Sequence, residues 1–208
     1  MATTIPINQV GPESAIGLGL ELRIRLAESV EEMRARFEGF VSQNPELNVE
    51  QESSGEIVIM SPTGAEGSSA NSEITCQLTS WSRNTGGKTF DSSAMFVFAN
   101  GAKRSPDAAW IAQERWETVP LVDRKKFPHI APDFVVELRS ETDRLAVLQA
   151  KMQEYIDNGV RLGWLIDPLE KRVHVYCADA QPVVFENPQS VSGDDVLKGF
   201  VLELARIF

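Results

Sequence analysis

The sequence predicts an α/β (α+β) fold, and three observations predict it. Short apolar runs bounded by proline, glycine or small polar residues recur along the chain, which is the pattern of strands. Between them lie longer segments whose apolar residues return at the helical period. The stretch from Asp133 to Ile166 reads strand, helix, strand, a right-handed crossover if its two strands are parallel. With 208 residues and 42% hydrophobic content, the chain can bury one sizeable core. No Gly/Ser-rich or Pro-rich tract is long enough to link two. The expected organisation is a single domain over residues 1–208. Within it, 1–44 forms an N-terminal extension with a helix, 45–180 a core, and 181–208 C-terminal strands that pack on the core.

Residues 1–20 are mixed and predict little regular structure. Ser29 is a helix cap, with Glu31 and Glu32 at the positive end of the dipole. Val30, Met33 and Phe37 follow the helical period, and Pro45 ends the segment. Leu47–Gln51 and Glu56–Met60 are strands joined at Ser53-Ser54-Gly55. A helix follows from about Glu66 to Arg83. Ala70, Ile74, Leu78 and Trp81 line its apolar side, with Glu73 about 100° from the centre of that side. Lys88–Asp91 and Met95–Ala99 are strands, and Asn100-Gly101 signals a hairpin. Asp107–Ile111 is the next strand, and Gln113–Ile130 a surface insertion with the basic run Arg124-Lys125-Lys126. Asp133–Leu138 has apolar residues on both faces and reads as a central strand. A helix capped by Ser140 or Asp143 runs to Asn158 and stops at Gly159. Strands at Leu162–Ile166, Arg172–Tyr176 and Pro182–Phe185 complete the pattern, before an apolar tail at Phe200–Leu204.

The net charge is −10, a global field that opposes non-specific binding to nucleic acid. A local site is still possible, because a bound cation reverses the sign of a cleft. Cys76 and Cys177 form no metal-binding spacing, as expected of a reducing compartment. The start of the chain lacks a secretory pattern, and no run has the roughly 18 apolar residues of a membrane span. A soluble, cytoplasmic protein is expected.

Asp107 and Glu137 lie in or beside apolar strands, where an uncompensated carboxylate is costly. Two carboxylates meeting at a strand edge make an oxygen-ligand site that suits Mg²⁺. A metal there could polarise a phosphoryl oxygen and activate water, with a nearby lysine stabilising the developing charge. Lys151 falls on the edge of its helix's apolar side, and Glu73 could join from the preceding helix. The alternative is a pair of structural acids held by Arg104 or Arg139.

The order Ser105-Pro106-Asp107, then Pro132-Asp133-Phe134-Val135-Val136-Glu137, resembles the PD-(D/E)XK nuclease motif. Met60-Ser61-Pro62, Val136-Glu137-Leu138-Arg139-Ser140, Lys151-Met152-Gln153-Glu154-Tyr155 and Gly163-Trp164-Leu165-Ile166-Asp167-Pro168 narrow the resemblance to the Uma family of that superfamily. The resemblance implies a restriction-endonuclease-like mixed β-sheet flanked by helices, here with an extra N-terminal helix and hairpin. It also implies Mg²⁺-dependent (or Mn²⁺-dependent) hydrolysis of a DNA phosphodiester. Asp107 and Glu137 take the places of the two motif acids, and Glu73 resembles the acid of the first core helix. The sequence departs from the motif where its lysine should stand, because that position holds Arg139. Arginine cannot act as a general base. Lys151 on the following helix is one candidate for the cationic role and Arg139 the other.

Two further classes compete with a nuclease. One is a catalytically silent protein of the same fold acting as a dimeric binding module, which would not bind Mg²⁺. The other is a metal hydrolase of small phosphorylated substrates, which would have a deep closed pocket. The pairs Lys103-Arg104 and Lys171-Arg172 favour an open cleft if they share a face. DNA is the expected partner, and a homodimer is expected because two-fold dimers predominate and a duplex has two strands.

Overall fold

Two sheets meet along a seam. The six-stranded sheet is built on β8 (Phe134–Leu138), a strand buried along its whole length. β8 pairs antiparallel with β7 (Ala108–Ile111) and parallel with β9 (Leu162–Asp167). β4 (Lys88–Asp91) lies outside β7, while β10 (Arg172–Cys177) and β11 (Val183–Glu186) continue beyond β9. The five-stranded sheet has the order β1-β3-β2-β6-β5, formed by Leu22–Ile24, Ile57–Ile59, Val49–Gln51, Lys103–Arg104 and Phe96–Val97. The structure is a computed structural model that describes residues 22–193 and 195–208. The expectation for residues 1–20 lies outside them.

Alternation along β8 decides which helix packs where. Phe134, Val136 and Leu138 join Ile74, Leu78 and Trp164 under α2 (Ala65–Thr85). Val135 joins Met152 and Tyr155 under α4 (Leu145–Asp157). Each such side chain contributes about 1.5–3 kcal/mol by burial. The sheet is thus sandwiched, and Glu137 falls by period on the α4 side with Val135. Gly163 on β9 lets α4 lie close, since a Cβ there would run into the methyl of Met152.

α1 (Val30–Gln43) starts where its cap predicts, with Ser29 Oγ accepting from the Glu32 N–H at 3.2 Å. Its Phe37 packs on Val49 and Ile57 of the five-stranded sheet. The β2–β3 turn needs Gly55, whose φ is +87° and whose missing Cβ leaves room for Met33. At the other end, β12 (Ser190–Ser192) and β13 (Val201–Glu203) form a hairpin. Phe200 beside it stacks on Trp164 at 5.9 Å.

Some elements differ from expectation. α4 starts at Leu145, not near Ser140, because Ser140 and Asp143 spend their capping capacity on each other. Asp143 Oδ2 accepts from both the N–H and the hydroxyl of Ser140, at 2.8 and 2.7 Å. The insertion after β7 holds a short helix, α3 (Gln113–Thr118), and a 3₁₀ turn at Asp123–Lys125. β1 and β12 have no clear sequence signal, being three-residue strands fixed by their partners. Among the described residues no helix is long and apolar enough to cross a membrane.

Candidate active site

The β7–β8 register pairs Ala108 with Val136. One step further, it sets Asp107 beside Glu137. Asp107 Oδ2 accepts from the Leu138 N–H at 2.8 Å, so the strand itself ties the first acid to the second. Its other oxygen accepts from Asn71 Nδ2 at 2.9 Å. Asn71 is on α2, which lies over this end of the sheet.

Lys151 reaches the same place from α4. Its Nζ is 3.0 Å from Glu137 Oε1 and donates to Oε2 at 3.1 Å. Tyr155, one turn further along α4, donates its hydroxyl to Glu137 Oε1 at 2.7 Å. The helical period places both side chains over β8. The same ammonium is also 3.0 Å from Glu50 Oε1, on β2 of the other sheet. Glu50 accepts from the Ser105 N–H at 2.8 Å and pairs with Arg104 Nη1 at 3.2 Å. Arg104 continues to Glu52 at 2.7 Å and to Glu154 of α4 at 2.6 Å.

Glu50, Glu52, Asp107, Glu137 and Glu154 meet Arg104 and Lys151 here, with the exposed Arg23 reaching Glu52 at 3.6 Å from outside. Negative charge is therefore in excess. Burial pushes Glu137 up to about 7, with Asp107 and Glu50 adding repulsion that Lys151 only partly offsets. Burial also raises Asp107, against the Leu138 N–H and Lys151. Burial alone would raise Glu50 too, but Lys151, Arg104 and the Ser105 N–H outweigh it and hold it low. Burial disfavours the Lys151 ammonium, yet Glu137 and Glu50 more than compensate and hold it charged.

The other predicted residues lie elsewhere. Glu73 bonds Gln77 at 2.9 Å and pairs with Arg206 at 3.7 Å, because α2 turns Asn71 toward Asp107 instead. β8 ends at Leu138, and Arg139 turns to Asp167, with Nη1 at 2.7 Å from Oδ2. Neither Arg104 nor Arg139 is paired with Asp107 or Glu137. Lys103 and Arg104 rim no cleft: both are buried, Lys103 over the Phe37 ring and against Gln51, Arg104 in the acid network. Arg172 pairs with Glu186 at the β10–β11 edge. His174 is buried on β10, where Asp167 and Glu186 are the acids that act on it. Glu50 has no sequence signal, since nothing local marks an acid in Val49-Glu50-Gln51, and Arg104 binds Glu50, Glu52 and Glu154 in place of Asp107 or Glu137.

The hard oxygen donors of Asp107 and Glu137 and the excess negative charge suit a divalent cation. Asn71 Oδ1, buried beside Asp107, has no hydrogen-bond partner and adds a free oxygen donor. Among the described residues no three acids, histidines or cysteines converge tightly enough to hold a metal as they stand. Lys151 is the neutralising cation of this arrangement. A partly open cleft of about 530 Å³ leads to Asp107, lined by Asn71, Ser72, Thr75, Thr79, Arg83 and Ser92 among others.

Residues 30–205 match the family model Uma2, described as "Putative restriction endonuclease". The chain belongs to this family. Among solved structures, the fold is similar to that of "a putative nuclease belonging to DUF820" from Anabaena variabilis. That likeness has a TM-score of 0.66 at 22% identity and covers 78% of this chain and 90% of the other. A comparison with curated proteins gave no match. The Uma2 chain thus has a restriction-endonuclease-like fold, with Asp107, Glu137 and Lys151 together at the end of the interior β7–β8 strand pair.

Proposed function

We propose that this Uma2 protein is a metal-dependent endonuclease that hydrolyses DNA phosphodiester bonds, with Asp107, Glu137 and Lys151 as its catalytic residues. The observation that carries the reading is the Lys151 ammonium within 3.1 Å of Glu137, whose strand also binds Asp107. On this reading the helix supplies the lysine that the motif position, held by Arg139, lacks. Asp107 and Glu137, with Asn71 Oδ1 beside them, would hold Mg²⁺ or Mn²⁺. When bound, the ion supplies Lewis acidity and lowers the pKa of coordinated water.

The chain's own residues do the remainder. Lys151 holds positive charge where charge builds on the phosphoryl oxygens. Tyr155 fixes the Glu137 carboxylate by its hydrogen bond at 2.7 Å. The hydroxyls of Thr75 and Thr79 line the approach to Asp107 and can donate to phosphate oxygens, with Arg83 as a cationic anchor. A partly open cleft favours a polymer over a small phosphorylated substrate.

The test is plasmid cleavage with Mg²⁺ or Mn²⁺, wild type beside Glu137→Ala, Lys151→Ala and Arg139→Gln. Expected are cleavage by the wild type, loss in the first two variants and retention in the third. Activity that survives Lys151→Ala but not Arg139→Gln would return the cationic role to Arg139. A wild type that neither cleaves DNA nor binds metal would overturn the proposal in favour of a silent nuclease fold.

A further inference from the structure

Arg104 touches neither Asp107 nor Glu137, yet it pairs with Glu50, which also binds Lys151, and with Glu154 on the same helix as Lys151. It stands on β6, in the five-stranded sheet, and is only 6% exposed. Its Nη1 is 3.2 Å from Glu50 Oε2, and its Nη2 is 2.7 Å from Glu52 Oε2. Across the seam its Nη2 is 2.6 Å from Glu154 Oε2, and its Nε donates to the same oxygen at 2.7 Å. Glu154 lies three residues after Lys151 on α4, so the two share a helix face. Lys151 returns across the seam to Glu50 Oε1 at 3.0 Å. Arg104, Glu154, Lys151 and Glu50 thus close a ring between the two sheets, with one ion pair crossing in each direction.

Glu50 and Glu137 therefore share one ammonium. Lys151 stands 3.0 Å from each, and Glu50 receives a second cation, Arg104, on its other oxygen. We propose that Arg104 is the positioning residue of this site: by occupying Glu50 Oε2 and anchoring α4 through Glu154, it leaves Lys151 directed at Glu137. Resting on the nuclease reading above, the inference adds a residue that acts through Glu50 rather than on the substrate. Without the guanidinium, the bare Glu50 carboxylate draws Lys151 away from Glu137. Arginine suits the task because its planar fork meets several carboxylates at fixed angles and stays charged when buried.

The test is a charge-suppression series: Arg104→Gln, Glu50→Gln and the double variant. Cleavage is followed as kcat and KM, and Mn²⁺ binding by calorimetry. In Arg104→Gln, kcat should fall about 10–100-fold, the usual range for a group that orients a ligand. Mn²⁺ affinity should hold or rise, because a positive charge has been removed nearby. A general loss of structure would instead lower kcat and affinity together. Glu50→Gln in the Arg104→Gln background should restore most of kcat, since Lys151 then has only Glu137 to serve. Additive losses in the double variant, or an unchanged kcat in Arg104→Gln, would overturn the proposal.

Thermal unfolding of the same metal-free proteins separates this inference from the nuclease reading. Should the wild type cleave nothing, the nuclease reading falls. The melting temperatures then decide whether Arg104 acts through Glu50: suppression of the Arg104→Gln loss by Glu50→Gln supports it, and additivity sinks it. If Arg104→Gln does not fold, Arg104→Lys serves in its place. It keeps one charge and loses the fork, so a smaller fall in kcat, relieved by Glu50→Gln, is expected.

Discussion

Replacing Glu137 with glutamine should make the metal-free protein more stable at alkaline pH. The carboxyl is buried and moved from 4.5 to about 7 by desolvation and the neighbouring acids. A raised pKa means that the folded state binds the proton more tightly than the unfolded one. Its contribution to stability is complete below the unfolded value and is lost as pH rises through the folded one. The full displacement amounts to about 3 kcal/mol at about 1.4 kcal/mol per pH unit. About 2 kcal/mol of it falls between about pH 5.5 and about pH 8.5. Glutamine resembles the protonated acid and does not titrate, so it escapes that loss. The assay is urea unfolding in chelator at the two pH values. The variant should lose less stability across the interval, by about 2 kcal/mol, and surpass the wild type at the upper end. Mn²⁺ should raise the stability of the wild type more than that of the variant. A variant with the wild-type pH dependence, or one less stable at about pH 8.5, would refute the charge accounting drawn from the structure.

Lys151→Met should cost about 3–5 kcal/mol in chemical unfolding at neutral pH, because it strips Glu50 and Glu137 of their shared cation. A loss below about 1 kcal/mol would mean that the pair is neutralised by other means. Arg139→Gln should leave DNA cleavage unchanged while lowering stability by about 3 kcal/mol, since fully buried Asp167 loses its ion pair. Gly163→Ala should destabilise by about 1 kcal/mol, the low end of overpacking, because the Met152 methyl that it meets ends a flexible side chain, measured by thermal melting.

Much of the fold was legible because its central strand is apolar on both faces. Phe134, Val135 and Val136 allowed only a buried position between two strands, and the crossover to Leu162 required a helix on one face. Lys151 was legible for a related reason. Its place three residues after Leu148 put it at the rim of the buried side of α4, within reach of the β8 edge.

The failures share one cause, which is that side-chain direction is settled by partners distant in sequence. Arg139 stands two residues past Glu137, which strand alternation would put on the same face, but the strand ends one residue earlier and Asp167 captures the guanidinium. Glu73 was a candidate through its resemblance to the acid of the first core helix, yet α2 directs Asn71 to Asp107, two residues and about 200° away. Glu50 carried no signal because its significance comes from the pairing of β2 with β6, where Gln51 stands opposite Lys103. That register lays Glu50 against Arg104 and Ser105, which local sequence cannot reveal.

The seam between the sheets also has a bearing on the order in which the molecule assembles. β2–β3 is a local hairpin, and β8-α4-β9 is a crossover of neighbouring segments. Each half can gather most of its contacts early, but Glu50 and Lys151 stand on opposite halves and meet only when the halves dock. Closing so long a loop is slow and is rewarded late. A pair made only when the halves dock, such as Glu50 with Lys151, belongs to the late steps of assembly, so losing it is expected to speed unfolding and to leave the refolding rate almost untouched.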